Sequence, residues 1–130
     1  MNINGDINSK LLIVVDDEVD VKPLFEHFFE SSVTKKDLDL IFVKSGVECL
    51  ETLKKNKHKN VLVLSDINMP QMSGVELSKI LRAKYPGIII SLLSAGTTIP
   101  IKKEYYDYFF SKPVDFDYLV PRVLDILNEA

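Results

Sequence analysis

Tryptophan is absent from this 130-residue chain, and cysteine occurs once, at Cys49. A single thiol excludes an intramolecular disulfide and any paired-thiol redox or metal motif. Only five glycines are present, and none falls into a GxGxxG or GxxxxGKS loop, so a bound nucleotide is not indicated. Long apolar runs are missing too: nothing approaches the roughly 20 residues needed to span a bilayer. The opening MNINGDINSK carries no hydrophobic signal core, so the expectation is a cytoplasmic protein that does not engage membranes. Basic residues are not in excess either. Sixteen Lys and Arg against nineteen Asp and Glu give a formal net charge of −3, which lacks the electrostatic footprint of a nucleic-acid-binding domain. The local cluster Lys54, Lys55, Lys57, His58 and Lys59 reads as a solvated helix end and loop.

What is present is a globular balance, 46% apolar and 27% charged, in a chain of the length of one domain. Four apolar runs, residues 11–15, 40–43, 61–64 and 88–93, read as buried strands, and the aromatic run 105–110 as a fifth. Between them, residues 23–29, 47–55, 75–83 and 116–127 repeat apolar positions at helical spacing, with Ser73 and Asp115 as N-caps. Strands apolar on both faces and alternating with helices imply a parallel sheet covered on two sides. The fold class is therefore doubly wound α/β. The expected unit is a single five-stranded, flavodoxin-like sheet of order 2-1-3-4-5 over residues 10–130, preceded by an N-terminal extension, 1–9.

In such sheets ligands bind beyond the carboxyl ends of the strands, where strand order reverses. Asp16, Asp17 and Glu18 follow the first strand there, and Asp66 follows the third, leading into Ile67, Asn68, Met69 and Pro70. With strands one and three adjacent, Asp16, Asp17 and Asp66 converge and repel one another unless a cation joins them. Oxygen ligands with room for water and a phosphate oxygen fit magnesium better than calcium. The fourth strand ends in Ser94 and the fifth in Ser111, Lys112 and Pro113, adding a hydroxyl and an ammonium. A carboxylate nucleophile, a divalent ion and a lysine are an arrangement suited to phosphoryl transfer.

LLIVVDDE, VLVLSDINMPQMSG, LLSAG and FFSKPVDF, in this order, resemble the acidic strand end, phosphoacceptor loop, hydroxyl turn and lysine-proline turn of bacterial response-regulator receiver domains. That resemblance runs from about Lys10 to the end of the chain. It implies a signalling switch rather than an enzyme in its own right, with Asp66 phosphorylated by a histidine kinase or phosphotransfer protein. Magnesium is bound by Asp17, Asp66 and the backbone carbonyl of Asn68, with Asp16 acting through water. Lys112 pairs with Asp66 and then with the phosphoryl group, often beside a cis peptide before Pro113. Ser94 moves toward the phosphate, and Phe109, three residues before Lys112, rotates inward as the switch aromatic. A downstream effector or output domain and a phosphorylation-linked dimer are the partners the resemblance implies.

Some features depart from that pattern. Only 18 positions separate Ser94 from Lys112, and Pro100 lies between them, so the fourth helix is expected to be short or missing. Pro121 falls inside the last helix and is expected to kink it or shift its start. His27, His58 and Cys49 have no metal-ligand spacing and read as structural residues, as do Phe25, Phe28 and Phe29. Two other functions share part of the pattern. A magnesium-dependent aspartyl-phosphate phosphatase or phosphotransferase of the haloacid-dehalogenase type would place a DxD after its first strand, whereas the residue two beyond Asp66 is Asn68. A non-phosphorylated interaction module would have no use for the intact acids, hydroxyl and lysine.

Overall fold

The computed structural model describes residues 9–96 and 101–129. Five strands, β1 (Lys10–Val15), β2 (Asp39–Val43), β3 (Asn60–Asp66), β4 (Ile89–Ser94) and β5 (Tyr108–Ser111), form one parallel sheet in the order β2-β1-β3-β4-β5. Apart from Ser9, the expected N-terminal extension lies outside the described residues.

Alternate residues of the apolar strands feed two cores, as a sheet covered on both faces requires. Leu12, Val14, Leu62, Leu64 and Leu93 face α1 (Lys22–Phe28), α2 (Glu30–Thr34) and α5 (Phe116–Glu129), where Phe25, Phe29, Leu119 and Val123 meet them. Leu11, Ile13, Val15, Val63 and Ile90 face α3 (Gly46–Lys55) and α4 (Gly74–Lys84) through Cys49, Leu53, Leu77 and Leu81. Full burial of Cys49 pushes its thiol up to about 12, which keeps it protonated and inert at neutral pH.

Local chemistry sets the helix starts. Ser73 and Glu76 form a reciprocal capping box, Ser45 accepts from the Glu48 N–H, and Asp115 Oδ1 accepts from the N–H groups of Asp117 and Tyr118. That cap holds the start of α5 at Phe116. Pro121 therefore does not shift it, and the helix continues to Glu129. Pro121 and Asp117 both face water, so the Asp117 carbonyl that loses its helical donor can be solvated. Phe28 departs from expectation: it is 42% exposed, stacked on Phe116 at 4.4 Å.

Between β4 and β5 the described residues hold one 3-10 turn, Lys103–Tyr105, in place of a full helix. Arg82 of α4 clamps it, bonding the Glu104 carbonyl at 3.0 Å and Asp107 at 3.1 Å, while the Lys79 ammonium lies over the Tyr105 ring. This docking takes Tyr105 out of the expected fifth strand, which starts at Tyr108 instead. Pro100 lies outside the described residues.

Ser91 is wholly buried at the centre of β4, and its hydroxyl has no hydrogen-bond partner. An unsatisfied buried hydroxyl costs about 1–3 kcal/mol. Ser91→Ala is therefore expected to leave stability unchanged or raise it by about 1 kcal/mol. Urea denaturation checks this, and a loss of stability would show that the hydroxyl is satisfied in solution.

Candidate functional site

Adjacent parallel strands bring the acids together. Val15 and Ser65 are register partners on β1 and β3, so the residues that follow them, Asp16 and Asp66, emerge side by side. Both are buried, at 1% and 4% exposure, whereas Asp17 is exposed. Carboxylate oxygens of Asp16, Asp17 and Asp66 all lie within 4.8 Å of one another.

Lys112, delivered by the end of β5, answers this charge. Its Nζ lies 3.2 Å from Asp66 Oδ2 and 3.6 Å from Asp16 Oδ2. Glu18 Oε1, at 3.8 Å, is a third acidic neighbour that strand-end reasoning did not single out. The signal was available as the third acid of DDE. The Lys112–Pro113 peptide is cis. Backbone groups add to the arrangement: the Glu18 N–H donates to Asp16 Oδ1 at 2.9 Å and the Asn68 N–H to Asp66 Oδ1 at 3.4 Å.

The electrostatics follow from this crowding. Burial raises the Asp16 carboxyl above its ordinary value, and the charges of Asp66 and Glu18 add to the rise, while the Glu18 N–H and Lys112 oppose it. For Lys112, burial works against the ammonium, but its hydrogen bond to Asp66 and the surrounding carboxylates outweigh that and raise its pKa. One ammonium cannot balance three or four carboxylates. The excess negative charge and all-oxygen donor set fit a hard divalent cation such as magnesium.

The other expected residues lie at the same end of the sheet. Ser94 ends β4, with its carbonyl accepting from the Lys112 N–H at 2.9 Å and its hydroxyl oxygen from the Gly96 N–H at 3.0 Å. Asn68 is exposed on the loop after Asp66. Phe109 is half-buried on β5 beside Leu92, lining a cavity of about 240 Å³ with Pro113 and Tyr118. Gly74, not anticipated from sequence, packs against the end of β3: a Cβ there would come within 2.3 Å of the Asp66 carbonyl oxygen.

A parallel 2-1-3-4-5 sheet with a lysine-bridged acidic cluster at its switch point defines a phosphoacceptor-type α/β domain. The family model for the response regulator receiver domain matches residues 12–124, and the chain belongs to that family, whose members serve two-component and phosphorelay signalling. The chain is 29% identical over 123 residues to the Escherichia coli transcriptional regulatory protein GlrR, covering 92% of this chain but 26% of GlrR. It is 26% identical over 130 residues to the polar-differentiation response regulator DivK of Brucella ovis, covering 95% of this chain and all of DivK. Among solved structures, Thermotoga maritima response regulator TrrA, in complex with Mg(2+)-BeF, superposes with a TM-score of 0.74 at 27% identity, covering 91% of this chain and 99% of TrrA. Among the described residues, no helix is long and apolar enough to cross a membrane.

Proposed function

We propose that the chain is a phosphoryl-accepting switch whose acceptor is Asp66. The observation that carries this reading is the Lys112 ammonium 3.2 Å from a buried Asp66 carboxylate at the centre of the acidic cluster. An Asp66 oxygen attacks the donor phosphorus, the bond from phosphorus to the donor breaks, and the donor leaves with the electron pair. The Lys112 ammonium, 3.2 Å from Asp66 Oδ2, and the Asn68 N–H, 3.4 Å from Oδ1, hold the nucleophilic carboxylate in place.

Asp16, Asp17, Asp66 and the Asn68 carbonyl would hold magnesium, which when bound neutralises charge between the carboxylates and the phosphoryl oxygens. Lys112 then keeps a phosphoryl oxygen in place of the Asp66 oxygen. Ser94 gives up the Gly96 N–H to donate to the phosphate, and Phe109 turns inward against β4 as it moves. Contacts made only in the phosphorylated state shift the equilibrium, by about 1–3 kcal/mol for couplings of this kind.

A histidine kinase or phosphotransfer protein supplies the phosphoryl group. A downstream effector, an output domain or a phosphorylation-linked dimer reads the result. The chain spans only 26% of GlrR, which makes a longer protein one setting for this domain. Incubation with acetyl phosphate in magnesium is expected to give uptake of one phosphoryl group, and the same incubation in excess chelator none. Equal uptake in both would remove the metal from the reading.

A further inference from the structure

The end of the sheet opposite Asp66 carries a cleft that phosphorylation chemistry does not use. The seven residues of β3 separate the two ends by roughly 20 Å. Leu53, Val61, Tyr85 and Ile88 form the apolar part of this cleft, and Lys57 and Lys59 stand on its exposed rim, with a volume of about 380 Å³. Lys54 and Lys55 at the end of α3 and Lys84 at the end of α4 are exposed nearby in sequence, and among the described residues no acid lines the cleft. In a chain with a net charge of −3, Lys57 and Lys59 thus set positive charge at the edge of an apolar floor.

His58 gives a second observation. It was expected to lie in a solvated loop, but its side chain is 4% exposed, with Nε2 2.7 Å from Asp39 Oδ2. Its Nδ1 is buried without a partner, one of only two such side-chain atoms among the described residues. The wall is therefore held in position by the contact between His58 and Asp39, 19 residues apart, which favours a preformed cleft.

We propose that this cleft docks an acidic segment of a partner polypeptide that carries a short apolar anchor. Charge complementarity to the lysine rim selects the acidic flanks, and the apolar floor takes the anchor, the usual division between rim and centre of an interface. The open, exposed rim favours a polypeptide over a small metabolite, whose site would enclose most of its surface. Rim lysines act chiefly on encounter rate, so binding falls as salt rises.

The test is titration of the full, isotope-labelled chain with the peptide GDELFDEG, following backbone amide resonances. The expected result is saturable shifts confined to residues 56–61 and 85–88, absent with the cationic peptide GKKLFKKG. Two independent variants should weaken binding about tenfold or more: Lys57→Glu combined with Lys59→Glu, and Gly87→Glu. Gly87 tolerates a side chain, since a Cβ there meets nothing within 4 Å. Equal binding of both peptides, shifts centred on Asp16 and Asp66, or no saturable shift would overturn the proposal. Concentration-dependent shifts at the same amides without peptide would overturn it as well, by making the occupant a second copy of the chain.

Discussion

Gly74→Ala is expected to destabilise the domain by about 3 kcal/mol, the upper end of what overpacking costs, and to lower Tm by roughly 10 °C. The added Cβ would come within 2.3 Å of the Asp66 carbonyl oxygen and 2.9 Å of Ile67 Cα. Both neighbours are backbone, pinned from the other side by the Ile67 N–H to Leu93 carbonyl bond, so relief requires moving the strand end that carries Asp66. Phosphoryl uptake should fall with stability. Two other glycines grade the effect: at Gly46 the obstacle is the Met72 side chain, which can swing aside, and at Gly87 there is none. Thermal unfolding of the three alanine variants should rank Gly74 far above Gly46, with Gly87 near wild type. Near-neutral behaviour of Gly74→Ala would mean that the β3–α4 connection is looser than its packing implies.

The second large effect couples stability to metal. Asp16 is held above its ordinary value mainly by burial, so the fold favours its protonated form. Its contribution to stability is then present at low pH and lost as pH rises through that raised value. Asp16→Asn keeps the acceptor for the Glu18 N–H and removes the charge. In chelator at pH 7 this variant is expected to be more stable than wild type by on the order of 1 kcal/mol, roughly 4 °C in Tm.

With magnesium the order should reverse. A ligand at a hundredfold excess over its Kd stabilises the folded state by about 2.7 kcal/mol, and the wild type should gain this while the variant loses most of it. Melting curves of both proteins across a magnesium titration give the crossing point. A variant that melts lower in chelator would show that Asp16 is not strained, and one that gains as much from magnesium as the wild type would show that Asp16 is not part of the cation site.

The strands and their acids were readable because a doubly covered parallel sheet forces apolar runs, and functional residues must follow those runs at the carboxyl ends. Asp16, Asp66, Ser94 and Lys112 each sit one or two positions from an apolar stretch, so order along the chain nearly determines their meeting. Residues defined by contacts distant in sequence were not readable. His58 is buried by an acid 19 positions away, and Gly74 is required by an approach to Asp66 that no local pattern encodes. The start of β5 moved from Tyr105 to Tyr108 because Arg82 and Lys79 capture the preceding turn, a tertiary contact overriding strand propensity. Phe28 shared helical spacing with Phe25 and Phe29, yet it lies at the edge of the stripe and covers Phe116 instead of entering the core.

The most direct measurement is intact mass before and after incubation with magnesium and acetyl phosphate, on wild type and Asp66→Ala, followed by mapping of the phosphorylated peptide. One added phosphoryl group in the wild type alone, on the peptide that contains Asp66, is the expected result. Equal uptake by Asp66→Ala, or no uptake by a wild type that is folded and binds magnesium, would contradict Asp66 as the acceptor.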